Sequence, residues 1–259
     1  MKYRFVTKIF LLCIFVSSAN VLAEDISAVL DWSDKRKLGT IVTGKVSKVS
    51  VIPGMHVKKG ATMIELDQRY FKVRQQKASA QTEYTRLQLE EAQREQDRAI
   101  ELFDRTVTSV SERQQADIDL AKAQAAYADA RAALQEISLD LEYSKIIAPY
   151  DGIVLNVMTA PGEVVVNENE STVLMEIARS DEMLARVMLS GEQLSKMSIG
   201  QSVEAAFRGK WYAGEVHSLS LQAMQGSGKA GQYAVTVKLP VDENAYARAG
   251  EISAIRLAD

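Results

Sequence analysis

Residues 44–67 read GKVSKVSVIPGMHVKKGATMIELD, and residues 146–178 read IIAPYDGIVLNVMTAPGEVVVNENESTVLMEIA. Both stretches follow one order of features: a strand-like run, a Pro-Gly turn that leads to a valine, and a final apolar run. The two turns are Pro53-Gly54 and Pro161-Gly162, and the two final runs are Met63–Leu66 and Val173–Ile177. We interpret the stretches as two halves of an internal repeat, which predicts one β domain that is split in the sequence.

The segment between the halves, residues 68–145, predicts two long helices. It contains no Gly and no Pro, and it is rich in Ala, Gln, Glu, Arg, Lys and Leu, which favour helix. Weak helix formers gather at residues 105–111, so we expect the chain to turn there. Ser111, with Gln114 three residues later, fits the capping box that begins a second helix. Each arm of the resulting hairpin is about 50 Å long at 1.5 Å per residue.

Apolar residues recur along the second arm with the three-four spacing of a coiled coil. The predicted seam consists of Leu120, Ala123, Tyr127, Ala130, Leu134, Ile137 and Leu141. The first arm is less regular, and we expect its seam to begin as one stripe and then drift to another. The first stripe is Val73, Ala80, Tyr84 and Leu87, and the second is Leu89, Ala92, Ala99 and Leu102. Two facing seams predict an antiparallel coiled-coil hairpin.

Short strand patterns flank the split domain and the hairpin. Residues 24–43 predict an N-terminal strand that joins a β-barrel, and residues 179–259 predict the rest of that barrel. The predicted fold class is therefore mainly β with a long α-helical hairpin. It combines the split β domain at 44–67 and 146–178, the hairpin at 68–145, and the small barrel.

The first 23 residues have the pattern of a secretory signal peptide. Lys2, Arg4 and Lys8 precede the apolar run at 9–16, and the small residues before Glu24 fit a cleavage site after Ala23. The apolar run is shorter than the roughly 20 residues that span a bilayer, although an uncleaved anchor is the alternative. Cleavage would remove Cys13, the single cysteine, and would make an already acidic chain of net charge −3 more acidic. An acidic exported chain without a basic patch argues against nucleic-acid binding.

The split repeat resembles the two halves of a lipoyl or biotinyl domain. In that family a modified lysine follows a Glu-x-Asp sequence at the turn that joins the halves. Here Glu65-Leu66-Asp67 is followed by Gln68, and the hairpin replaces the turn. The resemblance therefore implies a lipoyl-like domain without its cofactor, since the position of the attachment lysine is Gln68.

A lipoyl-like domain split by a helical hairpin and followed by a barrel resembles the HlyD-like periplasmic adaptors, or membrane fusion proteins, of tripartite efflux pumps of the resistance-nodulation-division (RND) type. The segment IIAPYDGIV at 146–154 is close to a hallmark of that family. The resemblance implies a periplasmic protein, peripherally bound to the inner membrane, that links an inner-membrane transporter to an outer-membrane channel for export of small molecules. It also implies self-association into a ring, commonly a hexamer. The family's membrane-proximal domain is expected to be missing or rudimentary.

The same resemblance implies a docking site at the hairpin tip. Arg98, Leu102 and Ser109 have the spacing of the residues that meet the outer-membrane channel in adaptors of this family. The alternative is that Arg98 is a solvated helix residue, Leu102 belongs to the seam, and Ser109 forms the turn.

No catalytic, cofactor-binding or metal-ligating set is predicted, so we do not expect an enzyme. His56 and His217 have no acid or nucleophile beside them in sequence, and the nine methionines lack the close spacing of a metal site. Three other functions remain as alternatives. They are an adaptor of an ATP-driven (ABC-type) exporter or of type I secretion, a lipoyl or biotin carrier, and a plain coiled-coil scaffold.

Overall fold

The computed structural model describes residues 25–167, 172–224, 231–241 and 247–256, so the predicted signal peptide at 1–23 lies outside the described residues. The chain divides into two compact units. Of the described residues, the barrel unit comprises 25–29, 185–224, 231–239 and 252–256, and the hairpin unit comprises 30–167, 172–184, 240–241 and 247–251.

Strands and helices occur in three groups along the chain. Before the hairpin are β1 (Asp25–Trp32), β2 (Arg36–Gly39), β3 (Gly44–Val49), β4 (His56–Val57) and β5 (Thr62–Leu66). The hairpin consists of α1 (Arg69–Asp104) and α2 (Val110–Tyr143). After it come β6 (Lys145–Ile147), β7 (Gly152–Val157), β8 (Val164–Val165), β9 (Val173–Arg179), β10 (Glu182–Ser190), α3 (Gly191–Leu194), β11 (Ser202–Phe207), β12 (Lys210–Ala223), β13 (Gln232–Pro240) and β14 (Ile252–Arg256).

Six strands close a barrel in the order β1-β10-β13-β12-β11-β14. Alternate residues of its strands are buried, as in Val203 and Ala205 of β11 and Val235 and Val237 of β13, which is the period-two pattern of a filled barrel. A Cβ at Gly214 of β12 would lie 2.6 Å from Leu239 Cδ2 and 2.9 Å from Val237 Cγ1, so both side chains would have to move to admit it. The prediction of a mainly β fold with a small barrel is confirmed.

The prediction that residues 24–43 form a strand of the barrel is wrong for the residues that follow β1. Only β1 joins the barrel. The chain turns at Asp34, which has φ +45°, and β2 then pairs antiparallel with β9, from Arg36 opposite Ile177 to Gly39 opposite Val173. The reason is that Leu38 packs against the core of the hairpin unit. A single half-buried leucine in a short polar strand gives too weak a pattern to assign the strand to a sheet.

The hairpin unit contains two four-stranded sheets, in the orders β2-β9-β7-β4 and β6-β5-β3-β8. Each sheet takes strands from both sides of the hairpin, so neither half of the repeat forms a sheet alone. The two sheets share a hydrophobic core of fully buried side chains, which includes Val46, Met63, Ile64, Leu66, Val154, Met175 and Ile177.

The two halves of the repeat make equivalent hydrogen bonds to each other. Gly54 N donates to Val154 O, and Gly162 N donates to Val46 O, both at 2.8 Å. Both glycines have positive φ, +86° and +101°, which the turn after each proline requires. The internal repeat seen in the sequence is thus an approximate two-fold symmetry in the structure.

The two helices pack antiparallel along their length. Gln75 Nε2 donates to Ser138 Oγ at 3.2 Å, Thr82 Oγ1 donates to Ala130 O at 3.1 Å, and Gln96 Nε2 donates to Asp117 Oδ1 at 2.9 Å. All seven residues of the predicted α2 seam are buried or half-buried. Because that seam is strictly apolar, its pattern identified the inner face of α2 correctly.

The first half of the predicted α1 seam is wrong. Val73, Ala80, Tyr84 and Leu87 are exposed. The inner face of this part of α1 is instead made of Phe71, Gln75, Ala78, Thr82 and Thr85, whereas Leu89, Ala92, Ala99 and Leu102 further along are half-buried as expected. The buried Thr85 hydroxyl is satisfied because it donates to Gln81 O. The inner face of α1 contains polar residues that bond within the hairpin. A search for apolar spacing misses such residues, so it predicted the exposed apolar row as the seam.

Both helices are tied to the sheets at their root, which is the end of the hairpin that adjoins β5 and β6. Phe71 of α1 lies in the sheet core. Ser144, fully buried after α2, donates its hydroxyl to Leu141 O and accepts a hydrogen bond from Gln68 Nε2 at 2.9 Å. Its carbonyl accepts from Leu66 N at 2.8 Å. The hairpin therefore leaves the sheets along a fixed direction.

Candidate functional site

The tip of the hairpin is a tight turn at residues 105–109. Helix α1 ends with Thr106 N donating to Phe103 O and Val107 N donating to Leu102 O, both at 2.9 Å. This is the pair of bonds of a Schellman motif, in which glycine usually occupies the left-handed position. Here Thr106 occupies it with φ +59°. A β-branched residue is unfavourable in that region, so the turn is held by its hydrogen bonds and not by local preference.

Helix α2 begins two residues earlier than the sequence analysis placed it. The N-cap is Ser109 and its partner is Glu112, in place of the predicted Ser111 and Gln114. Ser109 Oγ accepts from Glu112 N at 3.2 Å, and Glu112 Oε2 accepts from Ser109 N at 2.8 Å. The sequence carried this signal too, because Ser109-Val110-Ser111-Glu112 has the Ser-x-x-Glu form. The cap with Glu112 is favoured over the one with Gln114 because a charged carboxylate accepts a stronger hydrogen bond from the N-cap backbone than a neutral amide does.

The cap also sets the ionisation of Glu112. Hydrogen bonds from the Ser109 backbone, the Thr108 hydroxyl and the Ser109 hydroxyl lower the pKa of Glu112 to about 2. The carboxylate is therefore charged at any physiological pH. It lies in the first turn of α2, where a negative charge favours the helix N-terminus.

The three predicted docking residues occupy different environments at the tip. Arg98 is exposed, and its guanidinium pairs with Glu95 at 3.0 Å. Leu102 is half-buried and Ser109 is exposed. Arg98 and Leu102 are four residues apart and so lie on one side of α1. Ser109 caps the helix that returns from the turn, so its side chain already has a structural role.

A groove of about 540 Å³ runs between the two helices beside these residues. Its floor is alanine, and its rim carries Glu91, Glu95, Glu112 and Asp119. Glu95 is the partner of Arg98, and Glu112 is the partner of Ser109. Two of the predicted docking residues, Arg98 and Ser109, thus bond to carboxylates that line an acidic groove with an apolar floor.

The position of the lipoyl-type lysine is part of the hairpin root. Gln68 is half-buried at the first residue before α1, and its amide donates to Ser144. A modified lysine has to reach outward from the tip of a β-turn, and here a helix begins instead. The residue at this position therefore serves to fix the hairpin.

Among the described residues, no group of three or more His, Cys, Asp or Glu side chains is arranged to hold a metal ion. His56 and His217 are both exposed. The search for spanning segments over the same residues finds no helix that is both long enough and apolar enough to cross a membrane.

Comparison with known proteins identifies the family. The model described as "RND MFP, barrel-sandwich hybrid domain" matches residues 35–176, more than half of the chain. The chain belongs to the RND membrane fusion proteins. Residues 35–176 run from β2 to β9 and contain the hairpin, so the barrel-sandwich hybrid domain of this family coincides with the two sheets described above.

Two relatives match most of the chain in sequence. An uncharacterized protein of Haemophilus influenzae is 30% identical over 188 residues, which cover 73% of this chain and 44% of the relative. The efflux pump periplasmic linker BepD of Brucella suis is 25% identical over 187 residues, which cover 72% of this chain and 46% of BepD. The chain thus spans less than half the length of either relative.

Solved structures of other proteins share the fold. The membrane fusion protein Spr0693 of Streptococcus pneumoniae R6 aligns with a TM-score of 0.68 at 17% identity, over 90% of this chain and 97% of that one. A MacA-MexA chimera that contains the α-hairpin domain of Pseudomonas aeruginosa MexA aligns with a TM-score of 0.68 at 24% identity, over 91% of this chain and 82% of the chimera.

Proposed function

We propose that this membrane fusion protein is the periplasmic adaptor subunit of a tripartite efflux pump. In this role it links an inner-membrane transporter of the RND type to an outer-membrane channel, for export of small molecules. It acts without catalysis and without a cofactor. It resides in the periplasm, bound peripherally to the inner membrane, after cleavage following Ala23. Several copies assemble into a ring, and six is the number that we propose.

The observation that carries this proposal is that the hairpin is fixed at its root by packing and hydrogen bonds and at its tip by hydrogen bonds. Helix α1 has 36 residues and α2 has 34, so the tip stands about 50 Å from the sheets at 1.5 Å per residue. The root is held by Phe71 and Ser144, and the tip by the cap of Ser109 and Glu112. A rigid hairpin of this kind can couple a conformational change of the transporter in the inner membrane to the channel in the outer membrane.

We propose that the sandwich of two sheets has a lipoyl-like fold but does not carry a lipoyl group. Gln68 bonds to Ser144 at the root, so it supports the hairpin instead of carrying a group. The relative BepD, by its name a periplasmic linker of an efflux pump, supports the assignment to efflux.

Arg98, Leu102 and Ser109 are proposed to dock onto the channel. Arg98 offers a planar fork of donors, Leu102 offers a half-buried apolar contact, and Ser109 presents the cap at the start of α2. The acidic groove beside them would accept the end of a channel helix hairpin. Docking then costs little ordering free energy, because the tip is already fixed.

In-cell photo-crosslinking tests the proposal directly. The probe is placed at Val107, which is 69% exposed in the tip turn and, unlike Thr106, lies outside the left-handed region. We expect a covalent product with an outer-membrane channel protein. A probe at Ile52, which is 70% exposed in the turn before Pro53, is the matched control and should give no channel product.

A charge reversal then tests the docking residue. Arg98→Asp should abolish most of the product from the Val107 probe. Arg94→Asp is the matched control, because it removes the equivalent pair of Arg94 and Glu91 one turn earlier and should leave the product unchanged. Equal loss in both variants, or channel products from Ile52 alone, would refute the docking site at the tip.

A further inference from the structure

Three aliphatic side chains of the barrel unit are exposed to solvent and have no role in the docking of the hairpin tip. Leu221 is 96% exposed, Ile199 is 69% exposed and Met224 is 46% exposed. Leu221 lies near the end of β12 and Met224 directly follows that strand, whereas Ile199 lies in the loop between α3 and β11. They are far apart in sequence, so only the strand pairing shows whether they lie together.

The strand pairing places these side chains at one end of the barrel. β11 begins opposite Glu215 of β12, so the part of β12 that carries Leu221 extends past the start of β11. The loop that carries Ile199 lies at the same place, because Gly200 N donates to Val216 O at 2.9 Å. We call this part of the barrel, residues 190–201 and 215–224, the α3 end. Single exposed apolar residues are common on protein surfaces, but several at one end indicate a contact with another apolar surface.

A β-bulge holds Leu221 in its exposed position. Between two successive strand pairs, β12 has three residues, 220–222, where β13 has only Ala234. Ser220 Oγ accepts a hydrogen bond from Gln222 N at 3.2 Å and donates one to Gln222 O at 2.8 Å. These two bonds close a small loop with Leu221 at its apex. Bulges re-aim side chains, and this one directs a leucine into solvent.

The chain enters the barrel at the α3 end. β1 begins at Asp25, which lies opposite Arg256, and Arg256 lies opposite Glu204, the third residue of β11. Asp25 is therefore level with a point about 7 Å from the start of β11, at 3.3 Å per residue. The Asp25 carboxylate accepts from Arg256 Nε at 2.9 Å, which ties this first strand to its neighbour.

The position of Asp25 indicates which surface the α3 end meets. Asp25 lies two residues after Ala23, where the predicted signal peptide ends. A signal peptide inserts its apolar run into the membrane during export, and an uncleaved anchor would remain there. In both cases the chain starts at the membrane surface, and the strand that follows places the α3 end next to it.

The bulge also solves the problem that the bilayer poses for a polypeptide backbone. Backbone N–H and C=O groups that enter a bilayer need internal hydrogen bonds, because lipid offers none. Both backbone groups of Gln222 are bonded to the Ser220 hydroxyl, beside the apex at Leu221. The leucine can therefore enter an apolar layer without exposing the unbonded backbone groups of its neighbour.

We propose that the α3 end of the barrel lies on the lipid bilayer of the inner membrane, with the side chains of Leu221, Ile199 and Met224 inserted among the lipids. This inference rests on the proposed location at the inner membrane. It adds the surface that makes the contact, the orientation of the barrel and the residues that enter the bilayer.

The charges at the α3 end indicate that apolar insertion drives the contact and that attraction to anionic lipids does not. Lys196 is exposed in the loop before Ile199, and Glu192 and Glu215 are exposed at the same end. A surface that binds anionic lipids carries a cluster of basic residues, and this surface carries both signs. Binding should therefore occur on zwitterionic lipid and should not weaken as salt is added.

An environment-sensitive fluorophore tests the contact at a single position. In a chain with Cys13→Ser, which removes the only cysteine, Leu221→Cys is labelled with nitrobenzoxadiazole and mixed with phosphatidylcholine vesicles. We expect the emission to rise and shift to the blue, because the label moves from water into lipid. Ile252→Cys is the matched control and should not respond. Ile252 is 77% exposed on β14 but lies about 13 Å along that strand from Arg256, at 3.3 Å per residue.

Unlabelled variants measure how much the leucine contributes. Leu221→Ser should lower the partition coefficient of the protein into phosphatidylcholine vesicles by about 10-fold, the lower end for returning one leucine to water. Leu221→Met should retain the coefficient, because insertion requires an apolar side chain and not a particular shape. Ile252→Ser should leave it unchanged. No response of the label at Leu221, equal responses at both labelled positions, or a Leu221→Ser variant that partitions normally would overturn the proposal.

Photo-crosslinking in cells separates lipid from protein as the occupant. A probe at Leu221 should give lipid adducts, and a product with an inner-membrane protein in their place would overturn the proposal. The probe at Val107 tests the adaptor function independently. A channel product from Val107 without a vesicle response at Leu221 would overturn this inference alone, and a vesicle response without a channel product would overturn the adaptor function alone.

Discussion

Replacing Gly152 by alanine should destabilise the sheets of the hairpin unit strongly. Gly152 is buried in β7, where it pairs with Val57 on one side and Arg179 on the other. A Cβ at this position would lie 2.4 Å from the Ala178 carbonyl oxygen. The obstacle is backbone in a paired strand, and Ala178 is itself fully buried, so no side-chain rotation can make room.

The magnitude follows from that geometry. Ordinary carbon–oxygen contacts begin near 3.3 Å, so the β7–β9 ladder has to open by about 1 Å. Overpacking costs about 1–3 kcal/mol, and an immovable carbonyl argues for the upper end. Alanine recovers roughly 0.5–1 kcal/mol because it restricts the unfolded chain more than glycine does. The expected net loss is about 2 kcal/mol, which shifts the urea midpoint by about 1 M for a typical slope.

The internal symmetry supplies the control. Gly44 is the equivalent residue in the first half, since it pairs with Val165 as Gly152 pairs with Val57. A Cβ at Gly44 would lie 3.2 Å from Leu66 Cδ1, the end of a side chain that can rotate. Gly44→Ala should therefore change the free energy of unfolding by less than about 1 kcal/mol.

Urea unfolding followed by tryptophan fluorescence measures both variants. The background is Trp211→Phe, so that Trp32, in the hairpin unit, is the only tryptophan. Equal shifts for Gly152→Ala and Gly44→Ala, or no shift for Gly152→Ala, would refute the argument that backbone contact fixes this glycine.

Four further outcomes follow from the hairpin. Ile137→Ala should cost about 2–3 kcal/mol because its side chain is buried in the seam, and hydrogen exchange of α2 measures this; a loss below 1 kcal/mol would contradict the seam. Thr106→Gly should stabilise the turn by about 1 kcal/mol by relieving its positive φ, and slower exchange at the tip would show it. Glu112, whose pKa is lowered from 4.5 to about 2, stabilises the N-terminus of α2 above pH 4.5 and loses this effect as pH falls toward 2. An NMR titration midpoint near 4.5 would exclude the cap. Gln68→Lys should stay unmodified when expressed with a lipoate ligase, because the site is a helix start, and an added lipoyl mass would disprove this.

The sequence by itself determined the parts of this protein that strong, regular patterns encode. The split repeat is visible because both halves have a Pro-Gly turn and both closing strands are mostly apolar, with a single glutamate in each, Glu65 and Glu176. Two long helices were predicted within residues 68–145 because neither Gly nor Pro occurs there, and weak helix formers at 105–111 marked the turn between them. The α2 seam was predicted residue by residue, since all seven of its members are apolar and regularly spaced.

Only the tertiary structure decided which face of α1 turns inward. That helix has two candidate rows, and the inner one contains Gln75, Thr82 and Thr85, whose polar groups bond to the opposite helix or to their own backbone. A pattern of apolar residues cannot weigh a satisfied threonine against an exposed valine. The sheet to which β2 belongs depended on its pairing with β9, which is distant in sequence. The cap of α2 depended on competition between two neighbouring candidates, Ser109 and Ser111. Local composition thus determined which elements form, and packing between elements determined which surfaces they bury.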